Sequence, residues 1–209
     1  MVRQRVRMRF CKRGDLRLIG HRDLMRCLER LFRRAGLPLA MSQGFHPKPR
    51  MTFPSALAVG IEAVDEVLEL ELAKPCTAEE LLQRLAPQAP PGLRLTSVEV
   101  LPEGAPKARA RSFSYQVPIP AGCGDGLAEK IDRLMAGSSC PIRRPHRHTS
   151  VDLRPLLAEL SLEAGVLRMR LGAGIGAAAG PRDVLSALGL PDLELEGVHL
   201  TRTAVEVQT

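Results

Sequence analysis

The chain has 209 residues, of which 44% are hydrophobic and only 3% aromatic, and it carries a net charge of +7. Its hydrophobic fraction excludes wholesale disorder. Its longest apolar runs fall well short of the roughly 18 residues that a membrane span needs. Because no apolar segment follows the arginine-rich start, we expect neither a signal peptide nor a membrane anchor and predict a cytoplasmic protein.

Positive charge is concentrated in residues 1–50, which hold 14 lysines and arginines against three acidic residues. The rest of the chain holds 16 basic and 20 acidic residues. This asymmetry predicts a local surface that binds an anion, with RNA as the first candidate.

The five cysteines are widely spaced, odd in number and without a CxxC pair, so they indicate neither a disulfide framework nor a structural zinc site. We expect reduced thiols that pack as small apolar residues, and no cofactor. These cysteines are Cys11, Cys27, Cys76, Cys123 and Cys140.

The first predicted element is a strand over residues 3–10, followed by a turn at 12–15 and more strand to Gly20. Arginines alternate there with apolar residues, and this period of two predicts a half-buried strand with an exposed basic face. The basic face consists of Arg3, Arg5, Arg7 and Arg9, and the apolar face of Val6, Met8 and Phe10.

Residues 21–34 have helical spacing, with apolar side chains on one face and arginines on the opposite face. The apolar positions are Leu24, Met25, Leu28, Leu31 and Phe32, and the basic ones are Arg22, Arg26, Arg30 and Arg33. A helix face that is exposed to water usually mixes charges of both signs, so four arginines with few acidic neighbours favour a binding face.

The rest of the first half contains a proline-rich loop at 41–54 that leads into a short strand, a second strand over 58–73, a helix over 78–86 and a last strand with the sequence LRLTSVEVL. Thr77 and Glu80 have the spacing of a capping box at the start of that helix. The element order β-α-β-β-α-β is that of the ferredoxin-like unit.

A linker at 102–111 leads to a second half in which the pattern returns. Its predicted elements are a strand in SFSYQVPIP, a helix over 125–136, an irregular basic segment with short extended pieces, a strand in VLRMRLGAG, a helix in PRDVLSALG and a strand over 194–207. We therefore predict an α+β protein of two ferredoxin-like βαββαβ units with antiparallel sheets, over residues 1–104 and 112–209.

Two segments of the first half carry candidate functional residues. His21 and Asp23 begin the predicted helix, either as helix-start residues or as a catalytic or RNA-contacting pair. The loop SQGFHPKPR at 42–50 is either a stiff connection with Phe45 in the core or an RNA-binding loop. Its candidate binding residues are Gln43, Phe45, His46, Lys48 and Arg50, and His46 is also a catalytic candidate.

A second basic cluster lies in the segment IRRPHRHTSVDLRP at 142–155. We predict RNA contacts from Arg143, Arg144 and Arg147. His146 and His148 have the spacing of a metal pair on a strand, but no third ligand is evident, so we predict no metal site. Asp152 and Arg154 are expected either to pair with each other or to hold this segment against the first half.

The stretch GDLRLIGHRDLMR at 14–26 and the loop SQGFHPKP resemble the radical SAM-linked protein family over about residues 3–75. DLRP at 152–155 extends the resemblance. That family is a domain of unknown function found beside, or fused after, a radical S-adenosylmethionine protein. The resemblance implies a stand-alone member with a radical SAM protein as partner, since this chain has no iron–sulfur motif.

Paired ferredoxin-like units with a basic face are also similar, at the level of fold, to tRNA pseudouridine synthases and to CRISPR repeat-processing endoribonucleases. We predict an RNA-binding accessory protein that works with a radical SAM enzyme in tRNA or rRNA modification. The alternatives are an RNA-acting enzyme of one of those two kinds, or a protein-binding adaptor for the radical SAM partner. We also expect the arginines of the first strand and helix to form one positive region, and the loop at 42–50 to lie near His21 and Asp23.

Overall fold

The computed structural model describes residues 4–143, 150–174 and 179–208. The chain forms two compact units, which we call unit 1 (Met1–Ala110 with Val207–Thr209) and unit 2 (Arg111–Glu206). Each unit combines helices with mostly antiparallel strands. The predicted α+β class with antiparallel pairing is therefore confirmed.

Unit 1 follows the order β-α-β-β-α-β. Its elements are β1 (Gln4–Lys12), α1 (His21–Arg34), β2 (Met51–Thr52), β3 (Glu62–Leu72), α2 (Ala78–Leu85) and β4 (Leu93–Val100). β1 lies between β4 and β3 and is antiparallel to both, while β2 pairs with β3. The capping box predicted at the start of α2 is present, with the Thr77 side chain accepting from the backbone N–H of Glu80.

The core of unit 1 lies between one face of this sheet and the helices. Val6, Met8 and Phe10 of β1 are buried there against the apolar stripe of α1. That stripe consists of Leu24, Leu28, Leu31 and Phe32. Burying each such side chain contributes about 1.5–3 kcal/mol relative to leaving it in water. The inward faces predicted from the two periodicities are confirmed except at Met25, which is only half-buried and lies outside this core.

The segment before α1 differs from its prediction as a strand, because Gly14–Leu18 form a 3₁₀ helix. Gly14 has a φ of 59°, which turns the chain out of β1. The buried ammonium of Lys12 then donates to the carbonyls of Arg17 and Ile19, at 3.3 and 2.9 Å. β3 likewise begins at Glu62, later than predicted, after a turn at Gly60 with a φ of 87°.

Unit 2 has a comparable order with one additional ribbon. Its elements are β5 (Arg109–Pro118), α3 (Leu127–Ala136), β6 (Pro141–Arg143), β7 (Ser150–Asp152), β8 (Leu157–Glu163), β9 (Val166–Gly172), α4 (Pro181–Ala187) and β10 (Thr201–Gln208). The sheet order is β10-β5-β9-β8, and β6 and β7 pair with each other as a separate ribbon.

Two strands of unit 2 differ from the sequence prediction. β8 was not predicted, because a register shift between Leu157 and Glu159 interrupts the alternation of its apolar residues. β10 begins at Thr201 and not at 194, because the preceding residues form turns that include Gly197 with a φ of 86°.

Candidate nucleic-acid interface

The arginines of β1 do not form the exposed basic face that we predicted. Arg7 is buried, and its guanidinium donates to Glu69 at 3.0 Å and lies 3.6 Å from Glu99. Arg9 pairs with Asp65, and the Arg5 Nε lies 3.6 Å from Glu69. The prediction of a positive strand surface was therefore wrong for these arginines; Arg3 lies outside the described residues.

Acidic residues of the neighbouring strands neutralise the arginines of β1, and the segment that follows β4 contacts the same face. Arg7 is directly opposite Glu69 on β3 and Glu99 on β4. Arg5 also donates to the carbonyl of Pro106, and the backbone N–H of Ala108 donates to Glu69. The predicted linker thus contacts Arg5 and Glu69 on the charged face of this sheet.

The outer face of α1 stays basic and exposed, as predicted. Arg26 pairs with Asp23 at 3.0 Å and Arg33 with Glu29 at 2.8 Å, so these two arginines are partly neutralised. Arg22 and Arg30 are exposed and form no ion pair with any described residue. The stripe keeps a surplus of two positive charges, from four arginines and two acidic residues.

The loop at 42–50 is closed at its base by backbone hydrogen bonds. Met41 and Pro49 form a β-bridge, and the N–H of Ser42 donates to the carbonyl of Lys48 at 2.8 Å. The N–H of Lys48 donates in turn to the Ser42 hydroxyl at 3.0 Å. Arg50 donates from its backbone to the carbonyl of Ala40 at 2.9 Å. These bonds hold the two ends of the loop together.

The tip of this loop presents its candidate residues to solvent. Phe45 is 101% exposed relative to a free side chain, so the alternative that it packs into the core was wrong. Gln43, His46 and Lys48 are exposed as well. Arg50 differs, because its guanidinium turns back to the carbonyl of Met41 at 3.3 Å and lies 3.7 Å from Glu71.

The helix start shows a different neighbour from the one predicted. The ring of His21 packs edge-on against Phe53, with centroids 5.0 Å apart. Asp23 is exposed and accepts from Arg26, and the helix N-cap is Gly20, with no side-chain hydrogen bond at the cap. Phe53, which packs against His21, follows the loop at 42–50 and is not part of it. That the loop itself lies near His21 and Asp23 stays a prediction.

The second basic cluster is described only in part. Arg143 ends β6 and is exposed, whereas Arg144, His146, Arg147 and His148 lie outside the described residues. In the described ranges, no group of three or more histidine, cysteine or acidic side chains is placed to hold a metal ion. None of the helices in those ranges is both long and apolar enough to cross a membrane.

Asp152 and Arg154 both support the base of the β6–β7 ribbon; their side chains form no ion pair, but the backbone N–H of Arg154 donates to Asp152 at 3.1 Å. Asp152 accepts from the backbone N–H of Cys140 at 2.7 Å and from the hydroxyl of Ser139 at 2.8 Å. These hydrogen bonds, the one from Cys140 foremost, lower the pKa of the Asp152 carboxyl. The guanidinium of Arg154 donates to carbonyls at the end of α3.

Sequence patterns did not indicate a cleft at the foot of the loop. It has a volume of about 190 Å³ and lies between the loop base and strands β1 to β3 of unit 1. Its charged lining residues are Arg5, Arg50, Glu69, Glu71 and Lys107. Lys107 lies in the predicted linker, where nothing in the sequence marks it as part of a site.

Comparisons with known proteins identify a family and no activity. No curated protein matches the chain. Among solved structures, an unknown protein from Galdieria sulphuraria is similar with a TM-score of 0.31 and 13% identity, over 100% of both chains. A putative glycine cleavage system transcriptional repressor has a TM-score of 0.30 and 11% identity, over 100% of this chain and 99% of its own. At TM-scores this low, neither likeness indicates a function.

The profile of one family matches residues 5–181. The chain therefore belongs to the family described as "Uncharacterized protein conserved in bacteria (DUF2344)".

Proposed function

We propose that this chain is a cytoplasmic RNA-binding accessory protein that works with a radical SAM enzyme in tRNA or rRNA modification. The radical SAM partner comes from the sequence resemblance alone. The observation that carries RNA binding is Phe45, a fully exposed aromatic ring at the tip of a closed, proline-containing loop. The protein is expected to use this loop to hold an unpaired stretch of RNA.

An exposed phenylalanine is a ready stacking surface. Removing such a ring from water contributes about 1.5–3 kcal/mol of free energy. In unit 1 the ring stays exposed, so this free energy is available for binding. Stacking a base on an aromatic side chain contributes about 1–3 kcal/mol and tolerates any base. Because Pro47 and Pro49 restrict the backbone and hydrogen bonds close the base, little conformational entropy is lost when a base stacks.

Charge beside the ring suits the same ligand. His46 and Lys48 are exposed on either side of Pro47, where they can meet the phosphates that flank a stacked base. Arg22 and Arg30 on α1 offer further cations without ion-pair partners among the described residues. Such cations add a salt-dependent, sequence-independent contribution to RNA affinity.

A protein-binding adaptor is the second candidate, because apolar side chains near the start of α1 are exposed. Leu18 is 57% and Val59 50% exposed, and the Val59 side chain lies close to Gly20. Exposed apolar groups that lie together are typical of protein contacts. The RNA-acting enzyme stays a third alternative, and the ring of its candidate His21 packs edge-on against Phe53.

We also propose that both units are ferredoxin-like. Support comes from the order β-α-β-β-α-β and from the sheet orders β4-β1-β3, with β2 on β3, and β10-β5-β9-β8. The β6–β7 ribbon is then an insertion between α3 and β8. The domain boundaries at 1–104 and 112–209 stay a prediction.

The test is the affinity of the protein for a fluorescent single-stranded RNA and for bulk tRNA, measured by anisotropy. Phe45→Ala should weaken binding about 5- to 150-fold, which corresponds to the 1–3 kcal/mol of one stacked base. Leu195→Ala is the matched control, because it also removes an exposed apolar side chain, 85% exposed, but in unit 2. Absence of binding by the wild-type chain, or equal affinity of the wild type and Phe45→Ala, would contradict the proposal.

A further inference from the structure

The cleft at the foot of the loop has more positive than negative charge. Glu69 is buried and already accepts from Arg7 at 3.0 Å and from the N–H of Ala108 at 3.2 Å. The Arg5 Nε also lies 3.6 Å from Glu69, and this Nε makes no hydrogen bond among the described residues. Because Glu69 is shared between Arg5 and Arg7, the charge of Arg5 at the cleft wall is only partly neutralised.

Two further cations line the cleft from other segments. Arg50 lies 3.7 Å from Glu71, which is longer than a hydrogen bond. Lys107 is exposed and pairs with no described residue. The lining holds three positive charges, from Arg5, Arg50 and Lys107, against the two carboxylates of Glu69 and Glu71, which leaves a surplus of one. The cleft is suited to an anion.

The volume of the cleft limits the size of that anion. Pockets that enclose a drug-sized ligand measure about 300–1,000 Å³, whereas this cleft measures about 190 Å³. A complete nucleotide does not fit inside, but a phosphate group with a few waters does. The Ser42 hydroxyl also lines the cleft and accepts from Lys48, so its own proton is available to a phosphate oxygen.

We propose that this cleft is a phosphate-binding site in which Lys107, Arg5 and Arg50 hold one phosphate group. This assignment rests on the RNA-binding function proposed above: the phosphate belongs to the RNA strand whose base stacks on Phe45. Ser42 and Arg50 form both the base of the loop and the wall of the cleft, so the two contacts belong to one continuous surface. Guanidinium groups favour this ligand because their forked donors match phosphate oxygens.

The test compares single-stranded RNA binding by variants across a series of salt concentrations. Lys107→Ala should lower the slope of log affinity against log salt by about 0.7, the value for one lost phosphate contact on a single strand. Lys74→Ala is the matched control, since Lys74 is an exposed lysine of unit 1 outside the cleft, and it should keep the wild-type slope. Phe45→Ala should weaken binding and keep the slope.

Free phosphate provides a second arm that does not depend on RNA. Inorganic phosphate at millimolar concentration should shift the backbone amide NMR signals of Ser42 and Arg50 in a saturable way, and Lys107→Ala should weaken this binding. If RNA binds and Phe45→Ala weakens it, but Lys107→Ala keeps the wild-type slope, the cleft proposal is wrong while the RNA-binding proposal stands. If the wild type binds no RNA, RNA binding fails, and the phosphate titration alone decides the cleft. In that case, the absence of a saturable shift that depends on Lys107 overturns the cleft proposal as well.

Discussion

Replacing Arg154 by alanine should destabilise unit 2, because its guanidinium satisfies backbone carbonyls that α3 leaves without partners. It donates to Met135 at 3.2 and 3.0 Å, to Gly137 at 3.0 Å and to Leu157 at 3.0 Å. The last carbonyls of a helix have no partner within the helix, so Arg154 acts as their cap from a distant segment.

The magnitude follows from those bonds. A hydrogen bond that involves a charged group contributes about 1.5–3 kcal/mol when it is well shielded. Arg154 is half-buried, and two of its donors share the carbonyl of Met135. We therefore expect Arg154→Ala to lower the free energy of unfolding by about 3 kcal/mol. Arg154→Lys should recover only part of this loss, because one ammonium does not reach three carbonyls.

The assay is urea unfolding followed by tyrosine fluorescence. The chain has one tyrosine and no tryptophan, and this Tyr115 is buried in unit 2, so the signal reports on that unit. Arg133→Ala is the control, since Arg133 is exposed in the last turn of α3 and should contribute less than about 1 kcal/mol through the helix dipole. Equal effects of the two variants would refute the capping role.

Further predictions concern pH, backbone conformation and the buried ion pairs. Because the folded-state pKa of Asp152 lies below its ordinary value of 3.8, its ionised form stabilises the fold above that value, and this stability is lost as pH falls through the folded pKa. Asp152→Asn should thus flatten the acid limb of a stability–pH curve, and an unchanged limb would contradict this. Gly92 has a φ of 83°, and a Cβ there would lie 2.3 Å from a backbone oxygen. Gly104 also has a positive φ, but a Cβ there would meet no atom, so Gly104→Ala should lower the free energy of unfolding by about 1–2 kcal/mol. Gly92→Ala should lower it by more, because it adds a clash to the same strain. Thermal melts that rank the two variants in the reverse order would count against it. Glu69→Gln should cost about 3–5 kcal/mol because it leaves buried arginine charge uncompensated. Glu99→Gln, 60% exposed, should cost less than about 1 kcal/mol, and similar losses for both in urea unfolding would contradict the burial argument.

The sequence predicted the elements whose pattern depends only on neighbours along the chain. α1 was predicted with its bounds because its apolar residues repeat at helical spacing over 14 residues. The inward face of β1 followed from its alternation. By contrast, β8 was missed because a bulge near Leu157 disturbs the same signal.

The candidate site depends on contacts between distant segments, which no local pattern encodes. Whether Arg7 faces water is decided by Glu69 on β3, 62 residues away. The exposure of Phe45 depends on whether another segment covers the loop. The loop sequence at 42–50 is compatible with both a buried and an exposed Phe45. Lys107 became part of the cleft only because the predicted linker runs across the sheet.

Cross-linking in cells tests the central claim most directly. Cells expressing the full chain are irradiated with ultraviolet light, the protein is purified under denaturing conditions, and nucleotide adducts are mapped by mass spectrometry after trypsin digestion. RNA binding by the loop predicts adducts in the peptide that spans residues 35–50, which contains Phe45, and their loss in Phe45→Ala. Protein free of RNA, or adducts confined to unit 2, would contradict the account.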